Sequence, residues 1–509
     1  MRFPYLKDDY NNLLIQKNLE VLSNRGKPQE DFITSNISEF RNSDEYKWME
    51  LSEKYYQNEN EINTKKRIAI NKEGKIIEDK LLPNNIMSHA FLRNNIDEKT
   101  AFILSKPFSI KCENMDFLNI LNKQIFTPKF RMRLKNVVKD AYKKGISYLQ
   151  PTIKEDGTLD FKYRPGDKII PFWADDEHTE LDAYILVINL RIYELNNNYK
   201  DIEYIEFVDD SGVYRYTLNE DKSLTPYTDN NVEAVSGHFK ATLIKDGKEE
   251  DAKQLVWDKI PLIPIKCNSD EYPTLRSIKQ LIDAYDRGTS DLADVIGDLP
   301  YSIKVIVNYD GSDLGELAEN LYTYRMVKVS DGGDIKTLTQ TIDITAVDSH
   351  LDRIKDDIYE FGRIVNDKTA VATNASGKAL DRLYNKIDLD GTDTINELKS
   401  ALDEIIWFVK WYYKTQGKNY DDVEVTFDFN KDLPTDETTI IANCVSSKGI
   451  ISDETIISNH PWVTDVKEEM DKLKKQEKEN MEKLMGMGGY GQFPTNDNNL
   501  EESNKEEEE

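Results

Sequence analysis

Residues 272–299 read YPTLRSIKQLIDAYDRGTSDLADVIGDL, with Leu275, Ile278, Leu281, Ile282, Tyr285, Leu292 and Ile296 at helical spacing. Asp270 precedes this run and Pro273 stands near its first turn, both helix-start signals. A second run places Val347, Leu351, Ile354, Ile358, Phe361 and Val365 at steps of four, three, four, three and four. That is a narrow apolar seam, suited to packing against neighbouring helices. At ~1.5 Å per residue, each helix should be roughly 33–40 Å long. Between them lies an insert, 300–343, that opens on an alternating strand, YSIKVIVNYDG. A short helix over Leu314–Tyr322 and strands over Met326–Val329 and Ile335–Leu338 are expected to complete it. After a polar hinge, one long helix is predicted from Ser376 to Gly417, interrupted near Asp390-Gly391. Helices of this kind are struts and carry no cluster of reactive side chains.

Outward from this pair, the chain changes character twice. Residues 1–80 read as helix with charged loops: Ser43–Asn58 predicts an amphipathic helix and Lys66–Asp79 a short hairpin around Glu73-Gly74. In 82–110, Ile86, Phe91, Ile96, Ala101 and Ile103 fit one or two helix faces ending before Pro107. A helical pair is expected over 113–148, its second member capped by Gly145. From 146 to 268 the period becomes two. Strands are predicted over Leu159–Tyr163, Lys168–Trp173, Tyr184–Tyr193, Ile202–Phe207, Gly212–Leu218 and His238–Leu243, in a mostly antiparallel sheet. The region 422–484 offers one strand, VEVTFDF, and helices after Pro434, Ser452 and Thr464. From Met485 the Gly- and Asn-rich end, closing on EEEE, is expected to be disordered.

Composition narrows the function. The 509 residues are 39% apolar and 10% aromatic, enough for several domains or one elongated body with a sizeable core. Arg2, Lys7, Asp8 and Asp9 interrupt any leader-like start, and no apolar run reaches the ~18–20 residues of a membrane helix. A soluble protein with no membrane partner is expected. Cys112, Cys267 and Cys444 are far apart and read as free thiols. The net charge of −27 argues against tight nucleic-acid binding over the whole surface, since phosphate neutralisation supplies most of that affinity. It fits either plain solubility or a conduit past which DNA slides without sticking.

The chemistry-bearing motifs fail on inspection. ATNASGKAL (372–380) has Gly377-Lys378 but Ala372 and Ala379 where a phosphate loop needs glycine and a hydroxyl. KIDLDGTDTINE (386–397) resembles a calcium loop in Asp388, Asp390, Gly391 and Glu397, yet opens on Lys386 and carries Asp393 at a usually apolar place. His89, His178, His238, His350 and His460 lack metal-ligand spacing, and Asp175, Asp176 and Glu177 read as a solvated loop. No enzyme activity, cofactor or metal is expected.

Seven segments in order carry a family resemblance: NNIMSHAFLRNNIDEKTAFILSKPFSI (84–110), AYKKGISYLQPTIKEDG (141–157), IPLIPIKCNSDE (260–271), IKQLIDAYDRGTSDLADVIGDL (278–299), LDRIKDDIY (351–359), NASGKALDRLYNKI (374–387) and the 429–473 segment from FNKDLPTDETT to VTDVKEEMDKL. Together they resemble the portal proteins of tailed bacteriophages, of the type typical of siphophages of Gram-positive hosts. The resemblance implies an α+β portal fold: an α/β wing (1–268), stem helices (269–299 and 344–365) and a small α/β clip (300–343). It further implies a tunnel loop (366–375), a long wing helix (376–418), a helical crown (419–484) and an acidic tail (485–509).

The resemblance also implies a ring of about twelve subunits at one capsid vertex. Double-stranded DNA would pass through it, driven in by the terminase large subunit and later ejected. Head-completion (adaptor), tail, major capsid and scaffolding proteins would be its other partners. It would reside in the virion, after assembly in the host cytoplasm. The loop residues Asn366, Asp367, Lys368, Thr369, Ala370, Val371, Ala372, Thr373 and Asn374 would line the channel. This stretch lacks the proline usual in the family. Asp310, Asp313 and Glu316 of the clip would meet the terminase or adaptor. The seam helices suit closed head-to-tail interfaces, and Lys368 is the one cation placed to touch phosphate. An interaction scaffold without a channel, and a metal-dependent nuclease, are the competing readings.

Overall fold

The computed structural model describes residues 28–487 except 71–73, 81–82, 155, 194–198, 229–232, 242–243, 246–247, 250–252, 299–302, 308–312, 314–333, 339–342, 367–376, 432–436 and 464–465. The chain divides into two compact units, residues 1–374 with 381–433, and residues 375–380 with 434–509. The fold is α+β, with helices packed against antiparallel sheets.

In the larger unit, one core joins helices Phe91–Leu104 and Pro128–Lys144 to the two seam helices, Leu275–Asp298 and Ile344–Gly362, and to the long helix Gly377–Thr415. Ile395, Leu398, Leu402, Ile405 and Val409 of the long helix all point into this core, at steps of three and four. A second core lies between helix Pro28–Asn42 and a six-stranded antiparallel sheet, where Ile33, Ile37 and Phe40 meet Phe172, Tyr184 and Phe207. The sheet holds four of the six predicted strands, Ile169–Trp173, Leu181–Tyr193 and Tyr199–Asp209, the last two longer than predicted, and Gly212–Leu218 as predicted, while Phe239–Ala241 pairs apart with Lys253–Leu255. Strands Ile146–Ile153 and Ile263–Lys266 form a separate small sheet with Leu159–Arg164. Pro264 obscures Ile263–Lys266 in the sequence. It is tolerated because that strand is an edge, where a missing N–H breaks no ladder.

Local chemistry explains the helix limits. Thr127 accepts the Phe130 N–H at 3.3 Å, Pro128 occupies the first turn, and Gly145 ends the helix at φ 88°. A side chain at Gly145 would collide with the Glu271 carbonyl, so the glycine is required twice over. The first seam helix starts at Leu275, later than predicted, and the Thr274 N–H just before it, an amide that no helix bond could satisfy, is held by the Tyr142 carbonyl at 2.9 Å. The helix pair packs closely at Gly288, where an added Cβ would lie 2.8 Å from Leu351 Cδ2.

Three expectations are corrected. The long helix runs unbroken through Asp390-Gly391: Gly391 is there for space, since a Cβ would stand 2.9 Å from the Phe102 ring. Residues 83–90 are not helical. Strand Val425–Asp428 pairs with Ser109–Cys112 in the larger unit rather than joining the C-terminal helices. The insert contains the antiparallel pair Ile303–Val307 and Asp334–Leu338, while its expected helix and Met326–Val329 lie outside the described residues.

The smaller unit contains helices Glu437–Ser446, Asp453–Ser458 and Val466–Met487. Its strong helix formers carry the last helix past Met485, to Met487, just before Gly488-Gly489. Residues 488–509 lie outside the described residues.

Candidate functional site

Of the predicted loop residues, the structure describes Asn366, which donates from Nδ2 to Asp356 Oδ1 at 2.8 Å. Asp367, Lys368, Thr369, Ala370, Val371, Ala372, Thr373 and Asn374 lie outside the described residues, as do Asp310 and Glu316. Asp313 is described and exposed. The candidate site is therefore built from what holds the loop's approach and the seam helix beside it.

The approach is anchored at every step. Asn95 Nδ2 donates to the Gly362 carbonyl at 3.0 Å. Arg363 adopts the left-handed conformation, φ 55°, and ends the second seam helix. Ile364 and Val365 are buried, and the Val365 N–H donates to Glu98 Oε1 at 3.2 Å. Arg363 Nη1 also reaches Asp390 Oδ1 at 3.3 Å, while the buried Lys99 Nζ lies 3.0 Å from Asp390 Oδ2. Asp390 thus ties the loop's approach to the long helix and to Phe91–Leu104. One turn on, Thr394 Oγ1 joins the buried Tyr142 hydroxyl, 2.8 Å away, to the Cys267 carbonyl at 2.9 Å. Burial, reinforced by the Asp390 charge, pushes the Tyr142 phenol far above its ordinary range, so it stays a neutral hydrogen-bonding group.

The residues that resembled a calcium loop are spoken for by the chain's own cations. Asp388 accepts Lys431 Nζ at 2.7 Å, Asp390 faces Lys99 and Arg363, and Lys386 pairs with Glu360. Among the described residues no group of three His, Cys, Asp or Glu side chains is gathered as a metal would need. The Asp175 carboxylate caps its own turn, accepting the Thr179 and Glu180 N–H groups at 2.9 and 2.7 Å.

On the first seam helix, Asp283, Asp286, Ser290 and Asp294 share one face, which is covered by a non-helical strap. The Asn85 N–H donates to Asp294 at 2.6 Å, the Met87 N–H to Ser290 Oγ at 2.9 Å and the His89 N–H to Asp286 at 3.1 Å. Two residues of extended chain advance ~6.8 Å and four of helix ~6 Å, so alternate strap amides meet successive helix turns. Asp286, fully buried, also accepts Asn60 Nδ2 at 2.6 Å and lies 2.7 Å from His89 Nδ1. Against the upward push of burial, the bonds from Asn85 and Lys65 hold the Asp294 carboxyl below its ordinary range. Tyr55 donates to Asp283, and Lys279 salt-bridges it at 2.7 Å.

Sequence reasoning missed the strap, the Lys99–Asp390–Arg363 link and Thr394. The signal for the strap was available: Asp283, Asp286 and Asp294 flank the apolar positions of an amphipathic helix at spacings of three and eight. Each such carboxylate requires a donor once it is buried.

Residues 39–483 match the sequence model of the family described as phage portal protein, SPP1 Gp6-like. The portal protein of Bacillus phage SPP1 is 28% identical over 435 residues, 83% of this chain and 82% of that protein. The portal protein of Clostridium phage phiCD119 is 26% identical over 438 residues, 83% of this chain and 91% of its own. Among solved structures, a chain in the neck of an empty GTA particle covers 72% of this chain and 88% of its own length, at 12% identity and a TM-score of 0.40.

Proposed function

The chain belongs to the phage portal protein family, SPP1 Gp6-like, and from that membership we propose that it closes into a ring of about twelve copies at a capsid vertex, by repeated head-to-tail contacts. The observation that carries this reading is the family match from 39 to 483. Exposed apolar residues toward the insert end of the seam helices support it: Ile296 is 56% exposed and Ile344 55%. Neighbouring copies would cover them.

In this reading the ring is a structural conduit with no catalysis of its own. The terminase large subunit drives double-stranded DNA through it, and head-completion, tail, capsid and scaffolding proteins dock around it. Residues 1–268 form the wing, 269–299 and 344–365 the stem, 300–343 the clip, 366–375 the channel loop, 376–418 the long wing helix and the helices within 419–484 the crown, its strand Val425–Asp428 pairing instead with the wing strand Ser109–Cys112. Asp310, Asp313 and Glu316 give the clip an acidic docking surface. Lys368 makes a brief, salt-sensitive phosphate contact as DNA passes. Assembly takes place in the host cytoplasm and the ring stays in the virion.

Electron microscopy with mass from light scattering tests the reading. Rings with a central hole, at about twelve or thirteen times 59.0 kDa, are expected. A chain that stays monomeric at high concentration overturns it. For Lys368→Glu, a packaging yield that is unchanged across salt concentrations removes the phosphate contact.

A further inference from the structure

The hairpin Leu181–Tyr193/Tyr199–Asp209 has two unlike halves. Its inner half is buried in the six-stranded sheet, with Ala183, Tyr184 and Ile185 inaccessible. Beyond Val187 on one strand and Glu203 on the other, no further strand pairs with it on either edge among the described residues. There the faces are open too: Tyr193 is 76% exposed, Tyr199 57% and Ile192 41%. A two-stranded ribbon carrying aromatic residues into water is marginally stable on its own. The outer half is thus an arm without a seat.

A seat of the right kind lies elsewhere on the same unit. A cavity of about 230 Å³ is lined by Trp48, Tyr148, Trp173 and Tyr272, with Asp176 and Asp270 at its edge. It is smaller than the roughly 300–1,000 Å³ of small-ligand sites and suits a side chain or two. Arg276 sits over the Tyr272 ring at 4.0 Å, but Glu45, Asp175, Asp176 and Asp270 leave the lining acidic. The arm offers exposed aromatic rings with the cation Lys200 beside Tyr199, while its Arg191 is already paired with Asp201.

The arm cannot fill its own cavity. Trp173 of the cavity pairs with Leu181, whereas Tyr193 and Tyr199 pair at the opposite end of the same strand. Twelve residues of strand separate these ends by ~40 Å. Knob and socket at different places on one molecule make a heterologous contact, the kind that closes a ring.

Resting on the ring reading above, we infer that the arm of one copy lodges Tyr193 and Tyr199 in the Trp48–Trp173 cavity of the next copy. The test uses the full chain carrying Cys112→Ser, with Tyr199→Cys and Asp270→Cys combined. If the contact forms, their Cα atoms come within the roughly 4.4–6.8 Å a disulfide spans, and oxidised rings give a ladder of covalently linked copies on denaturing gels. Each single cysteine gives none. Tyr193→Ala with Tyr199→Ala should raise the concentration for half-assembly by roughly tenfold or more, as loss of buried aromatic anchors does. Its monomer should melt as wild type does, since the arm lies outside both cores.

Rings that give no ladder and assemble unchanged in the double variant overturn the contact alone. So do double-variant rings that form normally but fail to enter capsids, which would assign the arm to another protein. A wild-type chain that never forms rings overturns the ring reading, and the contact with it.

Discussion

Two extended segments, 85–89 and 188–193, meet the same physical demand in different ways. Both must satisfy a row of backbone amides. The strap lays its alternate N–H groups on a seam helix, whose Asp286, Ser290 and Asp294 accept them turn by turn. The arm satisfies its inward row with its twin strand and leaves its outer edge to water or to another molecule. The strap is sealed within one copy and the arm is left open. A segment closed internally serves the fold of its own copy, whereas an open strand edge is a template for pairing with another chain.

The strongest way to break this contrast is to remove an acceptor from the sealed side. Asp286→Ala leaves the His89 N–H, the His89 ring and Asn60 Nδ2 facing a buried, apolar methyl group. A loss of about 3–5 kcal/mol is expected, as when one partner of a buried charged network is deleted. Urea unfolding measures it. A loss below about 1 kcal/mol would mean that the strap contributes little, and the contrast would fall. Ser290→Ala is gentler. It removes a neutral acceptor for the Met87 N–H and should cost about 1–2 kcal/mol. Hydrogen exchange at that amide should quicken while exchange on the arm stays unchanged.

Acid sharpens the comparison further. The Asp294 carboxyl is held below its ordinary range in the folded chain, so the unfolded chain binds the extra proton first as pH falls. Its contribution is complete above about pH 4 and is lost below that, as pH falls through the folded value. The Asn85 amide should exchange faster at that point, and Asp294→Asn should flatten this pH dependence. An Asn85 exchange rate with the same pH profile in both proteins would remove Asp294 from the strap's support.

Much of the architecture was legible in the sequence because it rests on periodicity. The seam Leu351–Ile354–Ile358 and the strand Gly212–Leu218 announce themselves through spacings of three, four and two. What was hidden depends on partners remote in sequence. Ile86 reads as a helical apolar residue, yet its neighbours' amides are claimed by the Asp294 carboxylate and the Ser290 hydroxyl, some two hundred positions away. Gly391 reads as a break, whereas Phe102 is what requires it. Asp390 stands in a stretch that the sequence already sets aside as a calcium loop, but its actual partners, Lys99 and Arg363, leave no local mark. The strand Val425–Asp428 was found, but its partner Ser109–Cys112 is set by tertiary packing and leaves no local mark.

The smallest effect is expected where the geometry looks best. Arg191 meets Asp201 with two bonds, 2.7 and 2.9 Å, and stacks over the Tyr199 ring at 4.2 Å. By distance this pair is tighter than Arg363 with Asp390 at 3.3 Å. Yet both groups stand in water, where attraction is screened and two long side chains give up freedom to hold one pose. Arg191→Ala should therefore leave the melting temperature of the unassembled chain where it is. If the arm lodges in the next copy as inferred above, the same guanidinium is removed from water beside the Tyr199 ring, and screening weakens. There Arg191→Ala should lower ring stability to salt and dilution, read as mass by light scattering. If the unassembled chain already loses stability, the arm is held by its own contacts and is no more open than the strap.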